Sequence, residues 1–507
     1  DSICGCSIDQ THDEMRPRFD QCHQIGDDLT YEGMRRIGAQ GVGERVYVFN
    51  PLPGARSDYA KAVVPRKAGA EPVALVDERG RRWPCQRIES ADARANRVTI
   101  GFVAGGVPGC GYATYAVEYG EPPAVRGRKP AIENEYFRVE VSARDGTLNV
   151  LDKRDGRRYR GLNRLVDGGD RGDEYNFCAP DPDPLVDAPA SPPEVALIED
   201  GPARQTLEIR TVYRLPAGLT PGRQRMRRMV SCPVRVLVSV SPGVPRIDIR
   251  TEFENAAEDN RLRAHFPAGL RTDRAHAEQH FGVIERPLAL PQADDTWIER
   301  PVGYQPQKTF VDVNDGSRGL LIANRGLPEY EVLDGRGGAT IALTLLRSVG
   351  WLSRDDFPSR RFHAGPPLPT PAAQCPGRHI FEYAIVPHEG GWQRAYAEAH
   401  AFAAPLRARW NARGSGLQPA RASLLDVAGR GLVVTAVKRA EDGDGTVVRL
   451  YNTLDRKTTG RVRLNEAWSA AELVDMREET IEQAAVVDGW APLALRSNEI
   501  VTLRFHT

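Results

Sequence analysis

The periodicity of the chain switches at Gly41-Val-Gly43, and little outside residues 392–409 reads as helix after it. Before the switch, Ile8, Met15, Phe19, Cys22, Ile25, Leu29 and Met34 recur at close to helical spacing in an otherwise charged segment. That spacing predicts an amphipathic helix over residues 7–40, with Pro17 and Gly26 as the places where it would break. After the switch, residues 45–49, 97–102, 112–119, 136–141, 234–240 and 246–253 are rich in β-branched and aromatic side chains and bounded by Gly, Pro, Asn or Asp. These are strand signals. Strand and turn alternating to the end of the chain predict a mainly β, multi-domain protein built of sandwiches. Nothing that follows can cover the apolar stripe of the N-terminal helix, so it reads as the last helix of a bundle whose other members lie upstream.

Punctuation divides the β region. The Pro/Arg/Gly stretch 121–130 reads as a linker and the Asp/Pro-rich stretch 181–194 as a long exposed loop. A second helical piece is expected over residues 392–409, then a polar link over 411–419. Further strands are expected at 431–435, 446–451, 460–464, 471–475 and 500–505. The expected units are therefore 1–41 (bundle helix), 42–128 (small sandwich), 129–391 (large sandwich), 392–417 (helical linker) and 418–507 (C-terminal sandwich). No repeat of 20 to 50 residues supports a solenoid or propeller.

Charge and cysteine usage remove several classes. The 68 Lys and Arg residues equal the 68 Asp and Glu residues, so no net field draws the chain to nucleic acid or to an anionic membrane. The basic cluster 223–228 reads as a solvated turn or strand face. Eight cysteines without dense regular spacing read as reduced thiols of a cytoplasmic protein, and Cys4-Gly-Cys6 lacks the second Cys/His pair of a zinc finger. No apolar run is long enough to span a bilayer, and no signal peptide is evident. The chain starts at Asp1 without methionine, so further sequence is expected upstream.

Two motifs bear on chemistry. His276-Ala-Glu278-Gln-His280 looks like a metalloprotease signature, but the Glu is displaced and strands flank it, so surface histidines are expected. Asp167-Gly-Gly-Asp170-Arg-Gly-Asp173-Glu174-Tyr175-Asn176-Phe177 joins tight turns to the carboxylates, amide and aromatic surface that bind sugars. A salt-bridged structural loop would have the same composition, and both readings stand.

Several segments in order resemble glycoside hydrolase family 38, the α-mannosidases, and especially its bacterial members. They are Asp1-Ser-Ile-Cys-Gly-Cys6-Ser-Ile-Asp9, Glu133-Asn-Glu-Tyr-Phe-Arg-Val-Glu-Val141, Asp145-Gly-Thr-Leu148, Asp152-Lys-Arg-Asp-Gly156, Gly161-Leu-Asn163, the Tyr175 loop, Ala342-Leu-Thr-Leu-Leu-Arg-Ser-Val-Gly-Trp-Leu-Ser353 and Ala364-Gly-Pro-Pro. The resemblance implies a retaining enzyme with an N-terminal barrel, a helical bundle and a large galactose-mutarotase-like supersandwich, of which this chain is the C-terminal portion. It places the divalent ion, usually zinc, and both catalytic carboxylates in the barrel, and a metal-binding His just before Asp1, so no metal ligand and no catalytic residue is expected here. Asp1 and Tyr175 match residues that contact the sugar, and Asp173 and Asn176 are expected beside them. Cys4 and Cys6 stand where the animal motif has Thr, which bears on fine specificity, and Arg354, Arg361 and His363 lie where a further polar contact is expected. The implied partners are an α-mannoside and the barrel of the same enzyme, with a homo-oligomer left open. The alternatives are a stand-alone carbohydrate-binding or scaffolding module and one subunit of a split enzyme.

Overall fold

A computed structural model describes residues 5–88, 96–121, 131–356, 358–465 and 468–506. Strands take up 51% of the chain and helix 10%, in agreement with the mainly β reading. All the strand pairs among the described residues are antiparallel.

Helix α1 (Asp9–Gln40) runs unbroken for 32 residues, about 48 Å at 1.5 Å per residue. Pro17 and Gly26 do not interrupt it. Pro17 removes a single N–H from the ladder on a solvent-exposed stretch, and Gly26 costs about 1 kcal/mol against Ala. The helix is fastened at its ends. Near its start the Ala372 N–H donates to Asp9 Oδ2 at 2.9 Å, and at its finish Ser415, Gly416 and Gln418 donate backbone N–H groups to Ala39, Gly41 and Gln40 carbonyls. Between these anchors Phe19, Ile25, Leu29 and Tyr31 are all more than half exposed.

The first sheet has eight strands. Arg56–Pro65, Arg97–Val107, Arg82–Arg87, Glu71–Val76, Gly111–Gly120 and Arg45–Asn50 lie side by side in that order over a core that includes Val48, Leu75, Phe102 and Tyr115. Arg407–Asn411 then pairs along Arg45–Asn50, and Arg421–Ser423 pairs along Gly111–Gly120. The helix expected over 392–409 is accordingly shorter. A 3-10 turn at Trp392–Arg394 leads into α2 (Tyr396–Ala403), which stops before Pro405, whose ring disfavours helical backbone at Ala404, and the chain then extends into the strand.

The supersandwich comprises residues 131–389. Its nine-stranded sheet runs from Glu194–Asp200 through Gln205–Pro216, Met229–Val240, Ile247–Asn255, Gly377–Glu389, Arg318–Asn324, Phe310–Asn314 and Arg274–Gln279 to Gly282–Pro287. A five-stranded sheet (Arg164–Gly169, Asn260–Pro267, Gly338–Ser348, Glu329–Gly335, Tyr304–Pro306) and a four-stranded sheet (residues 131–162) share its core, where Phe137, Phe253, Phe266 and Tyr383 are enclosed. Period-two alternation explains the facing: in Ile247–Asn255 nearly every second side chain is buried. Each buried Phe contributes about 2–3 kcal/mol by area. The outer face of the nine-stranded sheet carries Phe310, Leu321 and Val386 against Trp392, Ala399 and Phe402 around α2. Three- and five-stranded sheets over Leu425, Leu450, Leu503 and Phe505 complete the chain.

Residues 181–194 are an open loop, held by Val186 and Asp167 exchanging backbone bonds of 2.8 and 2.9 Å. Of the linker expected at 121–130, residues 122–130 lie outside the described residues. The seven cysteines of the described residues are all free, and no helix among those residues is long and apolar enough to cross a membrane.

Candidate functional site

The loop at 167–178 leaves the five-stranded sheet at Gly169 and turns back on itself through three buried aspartates spaced three residues apart. Each meets its own arginine, from a different part of the chain. Asp167 pairs with Arg225 and accepts from Asn260 Nδ2 at 2.6 Å. Asp170 accepts from Arg347 at 2.7 Å and from the Gly172 and Cys178 N–H groups. Asp173 accepts from Arg360 Nη2 at 2.5 Å, from the Arg354 N–H at 2.8 Å, and from the Tyr175 and Asn176 N–H groups at 3.0 and 2.8 Å. Burial pushes Asp167 up to about 6 despite Arg225, and raises Asp170 despite Arg347. A buried carboxylate left alone would be costly, so the arginines are the condition for the loop's existence.

Asn176 is held from both sides, its Nδ2 donating to Glu299 and its Oδ1 accepting from Arg360. Phe177 lies under the Arg261 guanidinium, 3.3 Å from its ring centre, with Tyr304 edge-on at 6.1 Å. Asp173 and Asn176 are thus enclosed, with polar atoms engaged inside the loop's own network. Tyr175 is half-buried, with Arg360 5.9 Å from its ring. Its hydroxyl sits so close to Gly365 that a Cβ there would come within 2.9 Å of it. With the acids committed to arginines, the loop's capacity is to present a phenol, which can donate and accept hydrogen bonds to a hydroxylated ligand.

Glu174 connects this loop to the N-terminus. Its Oε2 accepts from the Ser7 N–H at 2.8 Å, its carbonyl oxygen accepts from the Cys6 thiol at 3.4 Å, and its own N–H donates to the Trp351 carbonyl at 3.1 Å. Burial raises the Glu174 carboxyl above its ordinary value, with the Ser7 N–H opposing. Segments 167 residues apart in sequence therefore meet at one place. Asp1 and Cys4 lie outside the described residues.

The remaining candidates are placed as follows. Arg354 lends its backbone N–H to Asp173 and its side chain to Asp356 at 2.7 Å, Arg361 donates to the Asp295 carbonyl at 2.7 Å, and His363 is 3.4 Å from Asp355. His276 is not a surface residue as expected: it faces Asp312 at 3.9 Å and Glu285 at 3.3 Å, while Glu278, 1% exposed, is held by His400 at 2.7 Å. Strand alternation puts both on the face opposite the core-facing Ala275 and Ala277, where His400 of α2 covers Glu278, and only His280 is exposed. Among the described residues no group of three or more His, Cys, Asp or Glu is arranged to hold a metal ion.

Sequence reasoning missed Arg225, Arg347, Arg360 and Glu299. Arg225 in particular belongs to the basic cluster read as solvated, yet its side chain is 3% exposed. The three-residue spacing of Asp167, Asp170 and Asp173 was the available signal, because acids at that spacing on a turning loop point to different walls.

This architecture, a supersandwich followed by a smaller sandwich, is that of a carbohydrate-cleaving family. Residues 132–359 match the model of the glycosyl hydrolases family 38 C-terminal domain, and residues 431–503 match that of the family 38 C-terminal beta sandwich domain. The chain belongs to glycosyl hydrolase family 38, whose C-terminal domains it carries.

Its relatives agree. A protein of Halalkalibacterium halodurans named "Putative mannosylglycerate hydrolase" is 26% identical over 583 residues, covering 100% of this chain and 61% of that protein. Human alpha-mannosidase 2C1 is 26% identical over 271 residues, covering 52% of this chain and 22% of its own length. The crystal structure of an alpha-mannosidase from Enterococcus faecalis superposes with a TM-score of 0.81 at 26% identity, covering 100% of this chain and 61% of that one. The chain thus spans about three fifths of the length of the relatives that it matches throughout.

Proposed function

We propose that the chain is the C-terminal part of a retaining α-mannosidase and that it completes and braces an active site whose bond-breaking groups lie in an N-terminal barrel. One observation carries this reading. The head of the chain and the Tyr175 loop, two segments that the family resemblance assigns to sugar contact, are bonded to each other through Ser7, Cys6 and Glu174. In this reading Asp1 and Tyr175 contact sugar hydroxyls, while Asp173 and Asn176 fix the backbone that carries the phenol. The exposed stripe of α1 is covered by bundle helices upstream, and the protein works in the cytoplasm on an α-mannoside.

The chemistry needs two carboxyl groups about 5 Å apart, one attacking and one donating a proton. The three aspartates of the loop are bound to arginines and Glu174 to the Ser7 N–H, and none of the four is assigned either role. A family metal would polarise or clamp sugar hydroxyls when bound, but the described residues do not fit one. The contribution of this chain is orientation: a phenol on a loop locked by buried ion pairs holds its hydroxyl in place without reorganising when the sugar arrives.

The test uses the protein extended upstream through the barrel. Tyr175→Phe there is expected to lower kcat/KM for an aryl α-mannoside by about one to two orders of magnitude, about 1.4–3 kcal/mol of transition-state stabilisation. Unchanged kinetics would make Tyr175 a structural residue only. Purified residues 1–507 are expected neither to retain a stoichiometric metal nor to release the aryl group. Metal-dependent turnover by that chain would overturn the reading.

A further inference from the structure

The segment 359–365 passes beside the Tyr175 loop and is tied to it on both sides. Arg360 reaches Asp173 and Asn176, while the Ala364 and Gly365 N–H groups donate to Ser353 Oγ at 2.9 and 3.1 Å, with Gly365 against the Tyr175 hydroxyl. Between these ties stands Phe362, 70% exposed, with its backbone at φ +68°. That is the left-handed region, which crowds a Cβ and suits glycine, so a bulky aromatic residue is held there at a cost in free energy. Exposing the ring to water adds to the cost.

Among the described residues one other aromatic side chain sits on such a backbone. Phe281, at φ +62°, packs edge-on against Tyr451 with ring centres 5.7 Å apart. Phe362 has no such return: among the described residues no ring or guanidinium stacks on it, whereas neighbouring Trp351 carries the Arg354 guanidinium 5.2 Å from its ring centre. The Phe362 carbonyl accepts from Arg360 Nε at 3.2 Å, and the same guanidinium lies 5.9 Å from the Tyr175 ring centre. The Phe362 backbone is therefore within about 10 Å of that ring, the reach of a disaccharide. Strain kept at an exposed position beside a ligand contact points to function, not to folding. The charged groups around it have partners of their own: Arg354 is on Asp356 at 2.7 Å, Arg361 on the Asp295 carbonyl at 2.7 Å, and His363 is 3.4 Å from Asp355. What the segment offers a ligand is the face of an aromatic ring, which suits the apolar C–H face of a pyranose and gives nothing to a carboxylate.

We propose that Phe362 is a specificity-determining residue whose ring stacks on the aglycone of the substrate, an uncharged pyranose; the inference rests on the reading of the chain as part of an α-mannosidase. Tyr175 then contacts the mannose being released and Phe362 the ring to which it is linked. The test uses the protein extended upstream through the barrel, with α-1,2-, α-1,3- and α-1,6-mannobiose and methyl α-mannoside as substrates and released mannose as the readout. The parent is expected to favour at least one mannobiose over methyl α-mannoside by about tenfold or more in kcat/KM, and Phe362→Ala to cut that ratio at least about fivefold, mainly through KM. Phe362→Tyr keeps the aromatic face and should hold the ratio within about twofold. Phe362→Gly separates the ring from the fold. Glycine suits φ +68°, so hydrogen exchange at the Tyr175 amide should stay within about threefold of the parent while the ratio falls as it does with alanine. A parent that cleaves methyl α-mannoside as well as every mannobiose, or Phe362 variants that slow both kinds of substrate equally, as loss of a contact to the upstream domain would, overturns the proposal and leaves the α-mannosidase reading standing. A parent that cleaves none of these substrates overturns that reading, and the inference with it.

Discussion

Replacing Arg360 by Met should release the Tyr175 loop, and the size of the effect follows from its contacts. Arg360 is 5% exposed and donates to Asp173 Oδ2, to Asn176 Oδ1, to the Arg354 carbonyl at 2.8 Å and to the Phe362 carbonyl at 3.2 Å. Breaking a buried ion pair by removing one partner costs about 3–5 kcal/mol. Asp173 keeps three backbone N–H donors, from Arg354, Tyr175 and Asn176, which places the loss near the lower end, about 3 kcal/mol. A chain of several sandwiches does not unfold in two states, so a global melting curve is the wrong assay. Native-state hydrogen exchange at the Tyr175 and Asn176 amides, both bonded to Asp173, reads the loop directly. About 3 kcal/mol corresponds to roughly a hundredfold faster exchange at those two amides if they open locally. Arg361→Met, at a side chain 51% exposed, should change them little. Exchange in Arg360→Met within about threefold of the parent would refute the claim that this ion pair holds the loop.

Gly365→Ala should disturb the same place from the other side, since its Cβ would fall 2.9 Å from the Tyr175 hydroxyl; a shifted tyrosine fluorescence or ring resonance checks it, and an unmoved ring counts against the contact. Burial and the neighbouring Arg263 and Arg261 push His265 down to about 3. The unfolded chain therefore binds a proton that the folded chain refuses, and the stability contributed by neutral His265 is complete above pH about 6.5 and falls as pH drops toward 3. Opening free energies from hydrogen exchange at the Asn260–Pro267 strand amides should depend less on pH in His265→Asn than in the parent between about pH 6.5 and 4.5, and parallel profiles would contradict this. Gly105→Ala would put a Cβ 1.8 Å from Trp83 in the first sheet, an overpacking that should cost about 1–3 kcal/mol, read as faster hydrogen exchange at the Arg97–Val107 amides.

The strands were legible because burial on one face writes itself into every second residue, as in Ile247–Asn255. Residues 407–411 were not, since Arg-Ala-Arg-Trp-Asn carries two apolar side chains and pairs with a strand some 360 positions earlier. The stop at Pro405 was readable but was passed over in favour of a helical pattern. At the candidate site, the composition of the loop spoke for itself, but its partners did not. An arginine in a basic cluster has the same letters around it whether it is solvated or, like Arg225, buried on an aspartate 58 residues away. Asp173, Glu174 and Asn176 are polar enough to need partners when covered, and the fold supplies Arg360, Ser7 and Glu299 from distant segments.

The pairing of Arg407–Asn411 along Arg45–Asn50 also sets an order of events during synthesis. The segment at 407–418 both extends the first sheet and fastens the end of α1, with Asn411 Nδ2 donating to the Gly38 carbonyl at 2.6 Å. At about 5–20 residues per second, the ribosome needs roughly 20–70 s between completing the two strands. Throughout that interval one edge of Arg45–Asn50 is open and the C-terminal end of α1 lacks its anchor, while the supersandwich between them is being made. The nascent first sheet is thus open to strand addition from other chains along Arg45–Asn50 until the residues that follow the supersandwich have been made.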